Sequence, residues 1–177
     1  MGLGTWKITD AKKMDTAVDA AIASGYRLFD TAVSYNNDKV LGAALQRHIN
    51  AGTVTRKELY ITTKIDPTAS NRIPTILNDT LQHLGIGDYV DMLLIHSPPW
   101  TATGRKDMWQ AFEALQSQGK ALSIGVSNYN QDQMEEMRNY SKSWPITLNQ
   151  VEFSPRVNKD ELLEYMRLNG IFLQVCL

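Results

Sequence analysis

Cysteine is almost absent: the lone thiol, Cys176, excludes an internal disulfide and suits a reducing compartment. Charge of neither sign is in excess. A formal net charge of −1 gives no electrostatic reason to expect nucleic acid or an anionic membrane as partner. No apolar run approaches the roughly 20 residues that span a bilayer. Met1 to Trp6 lack the basic start and long apolar run of a signal peptide. Neither a second nearby histidine nor a thiol pair stands at ligand spacing, which argues against a metal cluster. Gly2-Leu3-Gly4 is followed by Trp6 and Lys7, so the G-x-G-x-x-G of an open dinucleotide-binding sheet fails. No linker or low-complexity tract interrupts the chain. These absences lead us to expect one globular domain over residues 1–177, with no membrane or nucleic-acid partner and a cytoplasmic location.

Two periods alternate in what remains. Met14, Ala17, Val18, Ala21 and Ile22 recur at helical spacing and stop at Gly25; Val40, Leu41, Ala44, Leu45 and Ile49 do the same before Gly52. Pro74 suits the first turn of a third helix ending at Gly85, and Met108, Trp109, Phe112 and Leu115 mark a fourth. Asn130 with Gln133, and Asn158 with Glu161, fit capping boxes opening helices five and six. Between them, strands are expected over Tyr26–Phe29, Glu58–Lys64, Val90–Ile95, Ala121–Val126, Thr147–Phe153 and Ile171–Val175. Strand then helix, repeated at about 30 residues, is the βαβ step, and its crossovers force the strands parallel. An α/β fold follows, and a closed (β/α)₈ barrel fits better than an open doubly wound sheet.

In such a barrel the strand tips share one mouth. Asp30 ends the second strand, Lys64 the third, His96 the fourth and Ser127-Asn128 the fifth; Gln150 and Glu152 lie on the sixth, and Tyr35 hangs over from its loop. Each has a plain alternative. Asp30-Thr31 could be a turn or cap, Lys64 a solvated lysine, His96 a core histidine, and Ser127-Asn128 merely the start of a helix. The convergence is what raises the signal. A free phenol is a reluctant proton donor at neutral pH, and an adjacent ammonium favours its anion. An aspartate keeps the ammonium charged, and a histidine beside the phenol can orient a carbonyl or relay a proton. Asp30, Tyr35, Lys64 and His96 therefore make a general acid suited to carbonyl reduction.

At these residues the chain resembles the aldo-keto reductases. Gly2-Leu3-Gly4-Thr5-Trp6, Asp30-Thr31-Ala32-x-x-Tyr35, Leu94-Ile95-His96-Ser97-Pro98, Gly125-Val126-Ser127-Asn128-Tyr129 and Asn149-Gln150-Val151-Glu152-Phe153-Ser154-Pro155 are similar to that family's signature stretches, in its order. The resemblance implies a barrel that reduces a small aldehyde or ketone with NADPH, or less often NADH. It makes Tyr35 the acid, Lys64 and Asp30 its tuning pair, and His96 the substrate-orienting group. Ser127, Asn128 and Gln150 would hold the nicotinamide carboxamide, with Thr5 and Trp6 beside it.

The sequence also departs from the family. Asn36-Asn37-Asp38 replaces the commoner Gly-Asn-Glu, and Ser97 stands where many relatives have tryptophan, so that the pocket is expected to be wider or partly filled by Trp100. Cys176 occupies the position of the tyrosine that stacks on the nicotinamide. Seven strands and six helices are expected in all, an incomplete barrel truncated at its C-terminus. The loop that grips the adenosine phosphate would be missing, which would weaken cofactor binding. A complete barrel would be a monomer; open edges invite self-association. The alternatives to a working reductase are an impaired truncated form and a regulatory or structural use of the same fold.

Overall fold

In the computed structural model, residues 1–154 and 159–176 are described. Seven strands alternate with six helices among them. The strands are β1 (Gly2–Gly4), β2 (Leu28–Asp30), β3 (Tyr60–Ile65), β4 (Val90–Ile95), β5 (Ala121–Ser127), β6 (Leu148–Glu152) and β7 (Phe172–Cys176). The helices are α1 (Ala11–Ala23), α2 (Asp38–Asn50), α3 (Ile73–Leu84), α4 (Ala102–Ser117), α5 (Gln131–Met137) and α6 (Asp160–Leu168). All strand pairs are parallel and adjacent in chain order, β1 to β7.

The sheet curls strongly. Asp30 on β2 is hydrogen-bonded by Gln150 on β6 and Gln174 on β7, although the sheet orders these strands far apart. Only a sheet rolled toward closure brings those strands face to face. The architecture is an incomplete (β/α)₈ barrel. β1 and β7 are its two edges, and Phe172 and Val175 on β7 are 71% and 44% exposed.

Local chemistry sets the element ends. Gly25, Gly52, Gly85 and Gly119 follow α1, α2, α3 and α4 with φ between 62° and 84°, the left-handed stop expected of them. Asn130 and Gln133 form the expected capping box on α5. The matching expectation for α6 rests on Asn158, which lies outside the described residues. β4 has the bounds expected of it, and the other expected strands shift by one or two residues at their ends. Tyr26 and Arg27 precede β2, which starts at Leu28. Glu58 belongs not to β3 but to a single 3₁₀ turn, where its carboxylate accepts from Thr55 N and Oγ1 at 2.7 and 2.8 Å. That local cap outcompetes the strand. In β3 every residue from Ile61 to Ile65 is buried, so both faces are covered.

The core lies between sheet and helices, where Leu41, Leu45, Leu77, Trp109, Phe112 and Met166 are buried. α2 and α3 approach so closely that a Cβ on Gly42 would sit 2.1 Å from the Leu84 carbonyl oxygen.

Candidate active site

Strand pairing brings the strand tips to one level. Asp30 pairs with Gly4 on one side and Thr62 on the other, and Thr5 extends β1 by donating its N–H and its hydroxyl to the Asp30 carbonyl, each at 3.0 Å. His96 N donates to Ile65 O at 2.9 Å, and Asn128 N to Gln150 O at 2.9 Å, so both continue the ladder beyond their strands. Asp30 and Lys64 stand on the ends of their strands, and Thr5, His96 and Asn128 one hydrogen-bonded residue beyond theirs.

Tyr35 reaches it on a single 3₁₀ turn, Val33–Tyr35. Asn36 closes that turn with φ 54°, a left-handed conformation that glycine favours and asparagine tolerates. This explains how Asn36 can stand where the related pattern has glycine. Asn37 then anchors the loop, its Nδ2 donating to Thr5 O and Ile8 O at 2.8 and 3.1 Å.

Lys64 is the centre of the site. Its side chain is 1% exposed, and its Nζ donates to Asp30 Oδ1, to Thr31 O at 3.0 Å and to Tyr35 Oη at 3.3 Å. All three ammonium hydrogens thus have an acceptor, which a buried charge requires. Asp30 is held on its other oxygen by Gln150 Nε2 at 2.7 Å and Gln174 Nε2 at 3.4 Å. The Tyr35 and His96 rings meet edge to face, with centroids 5.8 Å apart. His96 Nδ1 lies 2.9 Å from Asp66 Oδ1 and 3.4 Å from Ser34 Oγ. Burial lowers the pKa of His96 below the ordinary histidine value; Asp66 pulls it up and Lys64 pushes it down. Burial, the largest of these influences, thus favours the neutral imidazole.

Ser127, Asn128 and Gln150 form one cluster beside these groups. Ser127 Oγ donates to Gln150 O at 2.8 Å, and Asn128 Nδ2 donates to His96 O and Ser127 Oγ at 3.0 and 3.1 Å. Asn128 has φ 62°, which swings its exposed side chain out of the line of β5. Trp6 stands 62% exposed next to buried Thr5. Trp100, expected to help fill the pocket, is 98% exposed in the loop between β4 and α4, so it fills no pocket here. Cys176 is half-buried on β7, and burial raises the pKa of its thiol.

Sequence reasoning missed Asp66 and Gln174. Asp66 stands two residues beyond Lys64, on the same side by strand alternation; with β3 ended at Lys64, its register went unread. Gln174 was legible only as a polar residue inside an apolar strand. Of the other histidines, His83 is exposed, and His48 Nε2 lies 2.7 Å from Asp19 Oδ1 with its side chain largely covered.

Three comparisons bear on this constellation. A model of the Aldo/keto reductase family matches residues 1–175. The chain is 36% identical to the glyoxal reductase of Bacillus subtilis (strain 168), over 98% of this chain and 60% of that protein. It is 35% identical to the NAD(P)H-dependent D-xylose reductase I,II of Candida tropicalis, over 97% of this chain and 60% of that one. Among solved structures, aldose reductase from Giardia lamblia superposes with a TM-score of 0.89 at 28% identity, covering 98% of this chain and 64% of that chain. An aldo/keto reductase from Brucella melitensis gives 0.87 at 32% identity, covering 99% and 66%. The chain thus spans about 60% of the length of the curated relatives it matches. The likeness runs through every strand that carries a residue of the mouth, and the chain belongs to the aldo/keto reductase family.

Proposed function

We propose that this chain carries the site for reducing an aldehyde or ketone to an alcohol, with Tyr35 as general acid and NADPH as cofactor, NADH being the second choice. The observation that carries the reading is the contact of the Tyr35 hydroxyl with the buried Lys64 ammonium, itself held by Asp30. A cation there stabilises the phenolate left when Tyr35 gives its proton to the carbonyl oxygen. Asp30 and Gln150 hold Lys64 in register, and His96 borders the position a carbonyl would take beside the phenol.

The donor set fits a nicotinamide carboxamide. Gln150 spends its amide nitrogen on Asp30, which leaves its carbonyl oxygen to accept from an amide N–H, and Asn128 offers an exposed amide. Ser127, Asn128 and Gln150 would hold that group, with Thr5 and Trp6 beside it. Bound reduced nicotinamide supplies the hydride. Trp6 and Trp100, both exposed, are the candidates to cover a substrate together with Tyr35 and His96.

The test is an NADPH titration followed by tryptophan fluorescence quenching. Saturable binding that is weakened about tenfold in Gln150→Ala is the expected outcome, the loss of one or two hydrogen bonds. A folded chain that shows no saturable binding contradicts the reading.

A further inference from the structure

Asp66 has no role in the reaction outlined above, yet it makes a direct polar contact with His96. It follows β3 immediately, and its carboxylate is half exposed at the mouth, 2.9 Å from His96 Nδ1. A carboxylate has only lone pairs to offer, so a contact of that length requires the hydrogen to sit on Nδ1. Ser34 Oγ, at 3.4 Å from the same nitrogen, is a weaker second neighbour that can share that hydrogen. Of the two ring nitrogens, Nε2 is then the one left for a substrate. In the neutral imidazole it carries a lone pair and cannot donate to a carbonyl oxygen. After the ring takes a second proton, it can.

Resting on the reductase reading above, we propose that Asp66 is a positioning residue that locks His96 in the Nδ1–H tautomer. Only the doubly protonated imidazole then donates to a substrate carbonyl, and reduction accelerates as the medium becomes more acidic.

The groups that face His96 set where this happens. Asp66 at the end of β3 and Asp30 on β2 favour the charged ring; Lys64 on β3 and burial oppose it; Tyr35 packs against its edge. Burial is the largest influence, so the neutral, acceptor form dominates at neutral pH. A His96 without Asp66 is free to carry its single hydrogen on Nε2 and so to donate in the neutral state. Asp66 thereby exchanges a pH-independent donor for a pH-gated one.

Two measurements decide this. The first is long-range ¹H–¹⁵N correlation on labelled full chain without cofactor, the His96 signals being assigned with His96→Gln. At pH 7 the expected pattern is Nδ1 of pyrrole type and Nε2 of pyridine type. Asp66→Ala should populate the opposite tautomer and move the titration of His96 to lower pH, whereas Asp66→Glu should restore the wild-type pattern. A wild-type ring with its hydrogen on Nε2, or one whose tautomer is the same in Asp66→Ala, overturns the assignment. The second is the pH profile of kcat/KM for a neutral aldehyde such as glyceraldehyde. The wild type should climb tenfold per pH unit on the alkaline side of the His96 midpoint, as one essential proton requires, and Asp66→Ala should be flat there. Equal slopes in the two proteins overturn the gating. A wild type with no turnover at all counts against the reductase reading, while the tautomer measurement still sustains or overturns the role of Asp66.

Discussion

Lys64 is the residue on which the site depends most. It is a buried cation whose three hydrogen bonds run to a carboxylate, a backbone carbonyl and the phenol. Replacing one member of a buried pair leaves the other charge without compensation, which costs about 3–5 kcal/mol. Lys64→Met should therefore lower unfolding free energy by about that amount in urea titration, as well as stopping turnover. Asp30→Asn should be at least as costly, because it leaves the Lys64 ammonium, 1% exposed, without its counter-charge. Equal stability of wild type and Lys64→Met would show that the pair is not held as described. The chemical types at Asp30, Tyr35, Lys64 and His96 were readable from sequence, since each falls at or just beyond a strand tip. Asp66 and Gln174 were not, for a physical reason. Asp66 meets His96 through the pairing of β3 with β4, two residues past the Lys64 at which the sequence reading ends that strand, and Gln174 meets Asp30 only by the rolling of the sheet, across 144 positions of chain.

Among the elements, α2 shows how local and tertiary demands meet. Asp38 opens the helix, where a carboxylate suits the helix dipole, but it is only 6% exposed and accepts a hydrogen bond from Thr31 Oγ1 at 3.3 Å. Burial raises its pKa from 3.8 to about 6, against Thr31 and the charge of His83. The folded chain thus holds this proton more tightly than the unfolded chain does. Stability linked to Asp38 is fully present below about pH 4 and is lost as pH rises to about 6, by roughly 3 kcal/mol at most. Asp38→Asn should flatten the stability profile across that window and leave the protein more stable at pH 7, by thermal unfolding at a series of pH values. An unchanged slope between pH 4 and 6 would contradict the burial argument. The helices themselves were legible in the sequence because their apolar stripes and glycine stops act within the element. Strand ends were less so, as Glu58 shows: a local cap decided its conformation against the β pattern. Gly125 carries a different constraint. A Cβ there would stand 2.7 Å from Leu148 O and 2.9 Å from Leu94 Cδ2, so Gly125→Ala should destabilise by about 1–3 kcal/mol through displacement of β6.

At the scale of the molecule, the rolled sheet turns strand order into a site. Residues from β2, β3, β6 and β7 meet at Asp30, and the loops after β2 and β4 bring Tyr35 and His96 beside them. The same rolling leaves β1 and β7 as edges, with Phe172 exposed on β7. An apolar edge of this kind favours association. Turnover of a neutral aldehyde by wild type and Tyr35→Phe, each saturated with NADPH, decides whether Tyr35 gives the proton. We predict a loss of about 10²–10⁴-fold in kcat with NADPH binding retained, the share that a positioned general acid contributes. Undiminished turnover in Tyr35→Phe would contradict it.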